Sequence, residues 1–89
     1  MLDPTELEKL CNLFPELSLA QAESIILMSL GATPEEIADI RQVSAQSVKR
    51  SLYDARIKLK MRSLGSLRPA VLLRVMTSIF SKVSAQKGQ

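Results

Sequence analysis

The chain has 89 residues, 46% hydrophobic but only 3% aromatic, which predicts one small domain with an aliphatic core and suits short packed helices better than a β-sandwich. Its net charge is +3, and a single cysteine without any histidine leaves no intrachain disulfide and no His-based catalytic or metal cluster. No apolar run approaches the roughly 18 residues that span a bilayer, and MLDPTELEKL lacks the build of a signal peptide, so a reducing, cytoplasmic setting is expected.

The first element, LDPTELEKLCNLF, reads as a helix over about 3–14, with Asp3 as N-cap, Pro4 at the first helical position and Glu6 at the capping-box position. Leu7, Leu10, Cys11 and Phe14 share one face, which makes Cys11 a small core residue rather than a reactive thiol. Pro15 ends it. Ser18 and Gln21 form a second capping box, and a helix follows from about 19 to 30, its stripe made of Ala22, Ile25, Ile26, Ser29 and Leu30, with Gly31 beyond its end. Thr33, Pro34 and Glu36 require a third start, of a short helix over about 34–41. Ser44 is the next N-cap, so two helices meet across three or four residues.

In the stretch SVKRSLYDARIKLK, residues 47–60, Val48, Leu52, Ala55 and Leu59 fall within one narrow arc and must face the core. Gln46, Lys49, Arg50, Tyr53, Arg56 and Lys60 share a contiguous exposed arc, with Ser51, Asp54 and Lys58 on the remaining flank and Ile57 unexplained amid the basic side chains. Next, SLGS is expected to turn the chain, Gly65 as a left-handed C-cap and Ser66 as an N-cap, with a last helix from about 67 to 81 that holds Pro69 in its first turn. Val71, Leu72, Leu73, Val75, Met76, Ile79 and Phe80 make this helix apolar over more of its circumference than one core face needs. Residues 82–89 are expected to form a flexible tail.

Charge divides along the chain. Residues 1–40 set Lys9 against eight carboxylates, a net −7, whereas residues 41–89 set eleven Lys and Arg against Asp54 alone, a net +10. Such asymmetry fits a second half that meets a polyanion, and on charge alone it fits a solvated surface equally well. An enzyme is not expected, because there is no Gly-rich phosphate loop, metal-ligand cluster or Ser or Cys beside a general base; no cofactor is implied either.

Two helices across a tight turn, the second with a polar and basic face, match the physical demands of helix-turn-helix recognition of double-stranded DNA. The exposed positions of the second helix are Ala45, Gln46, Lys49, Arg50 and Tyr53, with Ser44 and Ser47 at its start and Arg56 and Lys60 toward its end. Gln can bond an adenine edge and Arg a guanine edge in two places, whereas Lys serves phosphates more often; Tyr53, the only tyrosine, either hydrogen-bonds a phosphate or simply covers exposed apolar surface. Lys49 and Arg50 also lie in the first two turns, where the helix dipole disfavours cations unless an anion compensates them.

Leu17-Ser18, Glu23, Gly31, Glu36-Ile37-Ala38, Val43-Ser44, Val48-Lys49, Lys58-Leu59 and Met61-Arg62-Ser63 resemble, at matching spacing, the pattern of the LuxR/GerE helix-turn-helix domain. The resemblance covers about residues 17–80. It implies an all-α fold, a four-helix core to which the chain adds an N-terminal helix in residues 1–16, and a transcriptional regulator that binds inverted half-sites as a dimer. The last helix is the family's usual dimerisation element, which points to Leu72, Val75, Met76 and Ile79. There are departures: Arg41 stands where a core Leu is expected, with Ile40 placed to replace it in packing, Gln42 replaces the usual Gly, Ser47 a Thr and Ser51 a His. VKRSLYDARIKL is also similar to region 4 of sigma factors, although the continuation MRS and a further helix favour LuxR/GerE. Met1 and the capped first helix favour a stand-alone regulator over a fragment, paired with itself or with a related regulator, with RNA polymerase as a further candidate partner. A protein-interaction module that works through the last helix, such as an anti-activator, is the alternative.

Overall fold

Ser18, Thr33 and Ser44 hold extended backbone and each accepts a bond from the N–H three residues on, at 3.2, 3.1 and 3.1 Å, so each starts a helix. Gln21 and Glu36 return the bond to the cap N–H at 3.0 and 2.8 Å, which completes two capping boxes. In the computed structural model, which describes the backbone of residues 4–87 and the side chains of residues 5–81, the described residues form five helices and no strand. They are α1 (Pro4–Cys11), α2 (Leu19–Ser29), α3 (Pro34–Arg41), α4 (Ala45–Lys58) and α5 (Leu64–Lys87). The expected cap Asp3 lies outside the described residues.

Helix α2 is the hub and packs against the other four, while α4 also packs on α3 and α5. The buried apolar side chains come from every helix and from the loop after α1: Cys11, Phe14, Ala22, Ile25, Ile26, Ile37, Ala38, Val48, Leu52, Ala55, Leu67 and Val71. The protein is thus an all-α small helical bundle. Leu30, assigned to the α2 stripe by spacing, caps that helix and is exposed instead.

Three helices end in the same way. The N–H groups of Ala32, Val43 and Met61 reach back to the carbonyls of Leu27, Ala38 and Arg56, and those of Gly31, Gln42 and Lys60 to Met28, Asp39 and Ile57. Each pair is a Schellman closure, with the left-handed residue at Gly31 (φ 106°), Gln42 (φ 59°) and Lys60 (φ 59°). A left-handed backbone costs a residue with a Cβ roughly 1–2 kcal/mol, which glycine avoids. Gln42 recovers part of this by donating from Nε2 to the Asp39 carbonyl at 2.8 Å. Gln42→Gly is therefore expected to stabilise the fold by about 0.5–1 kcal/mol, a rise of a few degrees in the thermal midpoint. Calorimetry checks it.

Two expectations need correction. Helix α5 begins at Leu64, because Ser63 accepts the Ser66 N–H at 3.2 Å; Gly65 is not a C-cap and Ser66 is not an N-cap. The left-handed turn falls on Lys60, and Pro69 becomes the sixth helical residue rather than part of the first turn. The helix also continues to Lys87, through most of the segment expected as a tail.

The second correction concerns Ile40, which is 47% exposed and does not replace the missing leucine. Arg41 occupies that place itself, its side chain 10% exposed. Its Nη1 donates to Ser24 Oγ at 2.8 Å, Ser24 donates onward to the Ala20 carbonyl at 2.8 Å, and Arg41 Nε stands 3.9 Å from Glu23. A polar strap from α2 thus holds α3 where an aliphatic plug was expected.

Candidate nucleic-acid interface

Helix α4 is fixed from below by Val48, Leu52 and Ala55, all buried, and by the half-buried Leu59. Its start is set by α3, which delivers the chain through Gln42–Ser44 and braces α4 by direct packing. Its end is tied by Arg56, whose Nη1 donates to the carbonyls of Met61 and Arg62 at 3.1 and 3.3 Å. On the flank, Lys58 donates to Gln21 Oε1 at 3.0 Å and joins α4 to α2. These contacts leave one side of α4 open.

That side holds a shallow depression of about 740 Å³ lined by Gln46, Lys49, Arg50, Tyr53 and Asp54. The spacing i, i+3, i+4, i+7, i+8 puts these residues on one helix face by geometry alone. Lys49 and Arg50 are exposed and make no hydrogen bond or ion pair with a described residue. Helix α4 begins at Ala45, so the two cations are its fifth and sixth residues, in the second turn and beyond the strongest part of the dipole. The Tyr53 ring lies under the Arg56 guanidinium, 5.0 Å from the ring centroid.

Most of the expected side chains are brought together, though not all equally. Gln46, Lys49, Arg50 and Tyr53 line the depression. Ser44 and Ser47 are engaged in the cap, Ser44 through its hydroxyl and Ser47 through its N–H, and Ala45 is half-buried against the core. Arg56 is committed to its own chain, and Lys60 stands beyond the helix in the left-handed turn. Asp54, assigned to the flank by sequence, lines the open face instead, as its place four residues after Arg50 and eight after Gln46 allows.

The expected dimerisation residues divide into two groups. Leu72, Val75 and Ile79 line an apolar groove of about 340 Å³ with Leu10, Ile26 and Leu30, between α1, α2 and α5. Met76 is exposed with Leu73 (68%) and Phe80 (63%), two residues absent from the expected set although helical periodicity places them beside Met76. Arg74, exposed on the side of α5 that meets the loop after α1, donates to the Leu13 carbonyl at 3.1 Å and Glu16 at 2.9 Å and stacks on Phe14. The backbone N–H of Glu16 and this guanidinium hold the Glu16 carboxyl below its ordinary range.

Burial, followed by the fields of Glu23 and Glu8, pushes the Cys11 thiol up to about 11, so it stays protonated and unreactive at neutral pH. No group of three or more His, Cys, Asp or Glu among the described residues can hold a metal. No helix among them is long and apolar enough to cross a membrane. In comparisons with known proteins, no family model, no curated protein and no solved structure matches the chain.

Proposed function

We propose that this chain is a sequence-specific DNA-binding transcriptional regulator of the LuxR/GerE helix-turn-helix type, which lays α4 in the major groove and uses α3 as its brace. One observation carries the reading: Lys49 and Arg50, without partners of their own, stand in one open face with Gln46 and Tyr53, on a helix anchored over its whole length from below. Leaving two cations unpaired beside each other costs nothing when an external polyanion supplies the counter-charge. In this role Arg50 addresses a guanine edge and Gln46 an adenine edge, and Lys49 and Tyr53 hold phosphates.

The apolar arc of α5 supports pairing of two copies, which would set two α4 helices against half-sites about one helical turn apart. The same arc favours a second reading, in which the chain pairs with a related regulator and controls it without reading DNA. Leu73 and Phe80, the most exposed large hydrophobic side chains of α5 among the described residues, are the observation behind it.

Titration of DNA affinity against salt separates the two. Neutralising about five to eight phosphates gives a log–log slope of about −4 to −7 for the DNA reader. A slope near zero on fragmented genomic DNA, with retention of a partner protein, selects the second reading.

A further inference from the structure

We infer that Asp54 is a specificity-determining residue of the α4 face and makes it select a cytosine amine in the major groove, an inference that rests on the DNA-binding reading. Asp54 is the only carboxylate in residues 41–89, and it lines the same depression as Gln46, Lys49, Arg50 and Tyr53. Arg50 stands one turn before it and Lys58 one turn after it, yet it forms an ion pair with neither. The carboxylate is therefore available to a ligand. On a surface that meets phosphates, such a group is repelled unless it accepts a hydrogen bond from the ligand.

The bases differ in what they offer it. Guanine and thymine present acceptors in the major groove, which repel a carboxylate. Adenine's amine lies between two acceptors, its own N7 and the O4 of the paired thymine, whereas cytosine's N4 amine has an acceptor on one side only, the O6 of the paired guanine. Cytosine is thus the base that Asp54 favours over the other three. Along the helix, Gln46, Arg50 and Asp54 are spaced four residues apart, about 6 Å or roughly two base-pair steps each. One face then carries an amide, a guanidinium and a carboxylate in a row, each suited to a different base.

Selection of bound fragments from a random duplex pool tests this, with the wild-type chain, Asp54→Ala and Asp54→Asn run in parallel. Asp54 is half-exposed, and alanine is the better helix former, so circular dichroism should show unchanged helicity. The wild type is expected to give a motif with one C·G pair preferred about tenfold or more. Asp54→Ala should lose the preference at that pair alone, and Asp54→Asn should move it toward adenine. An unchanged motif in Asp54→Ala, with affinity raised equally for every sequence, would overturn the inference and leave Asp54 as a repeller of phosphate. Wild-type protein that retains no duplex overturns the DNA-binding reading itself, and this inference with it.

Discussion

Replacement of Lys49 and Arg50 together by alanine is expected to abolish specific DNA binding, with affinity falling about 100- to 1,000-fold. A bidentate Arg–guanine pair is worth about 1–3 kcal/mol, and loss of a phosphate contact at Lys49 adds to it, which together reach the 3–4 kcal/mol of that range. The two changes should be separable. Lys49→Ala weakens binding to all sequences and reduces the salt slope by about 1, whereas Arg50→Ala relaxes the choice at one base pair. Neither side chain contributes to the core, and alanine favours the helix, so far-ultraviolet dichroism and the thermal midpoint should stay as they are. Fluorescence anisotropy on a selected duplex reads the outcome; unchanged affinity in the double variant would remove the α4 face from the proposal.

If two copies pair through α5 as proposed, Met76→Glu combined with Phe80→Glu is expected to yield a monomer. Both side chains are exposed, so the charges meet no intramolecular core, but they stand one turn apart on the arc of α5 that also carries Leu73. Two like charges in each copy would face two in the other across a symmetric contact. Affinity for a single half-site should hold, while affinity for the paired site falls about 100-fold or more as the second contact ceases to be intramolecular. Sedimentation equilibrium and binding to one- and two-site duplexes check both parts. Wild-type protein that is monomeric at high micromolar concentration would refute self-pairing, and would leave the broad apolar arc to a different partner.

The helix starts were legible in the sequence because their signals are local: Ser18 with Gln21 and Thr33 with Glu36 sit three residues apart and bond as that spacing requires. The core of α4 was legible for a similar reason, since Val48, Leu52 and Ala55 are set by the helical period and by nothing more distant. The start of α5 was not, because a glycine followed by a serine reads as a stop and a start, while the residue that took the left-handed turn was a lysine. Arg41 was misjudged for a different reason. Its place depends on Ser24 and Glu23, seventeen and eighteen residues earlier in the chain, and no local rule connects a buried guanidinium to a hydroxyl on another helix. Within the candidate interface, periodicity identified Gln46, Lys49, Arg50 and Tyr53, but it gave equal weight to Arg56, whose guanidinium is occupied by the carbonyls of Met61 and Arg62. Which cations are free is decided by tertiary bonds.

The strap at Arg41 distinguishes how firmly the fold holds from how accurately it points. An aliphatic plug keeps two helices together through contact area and permits small rotations about the contact, because dispersion has little directional preference. A guanidinium bonded to one hydroxyl has a bearing, since the bond weakens steeply as its angle opens. The tilt of α3 on α2, and through it the pitch at which α4 is offered, is thus referenced to a direction rather than to an area. Hydrophobic replacement of a buried ion pair often leaves stability equal or higher. Rigidity of aim and depth of the folded state can therefore vary independently at this one position, and a more stable molecule need not be a better-aimed one.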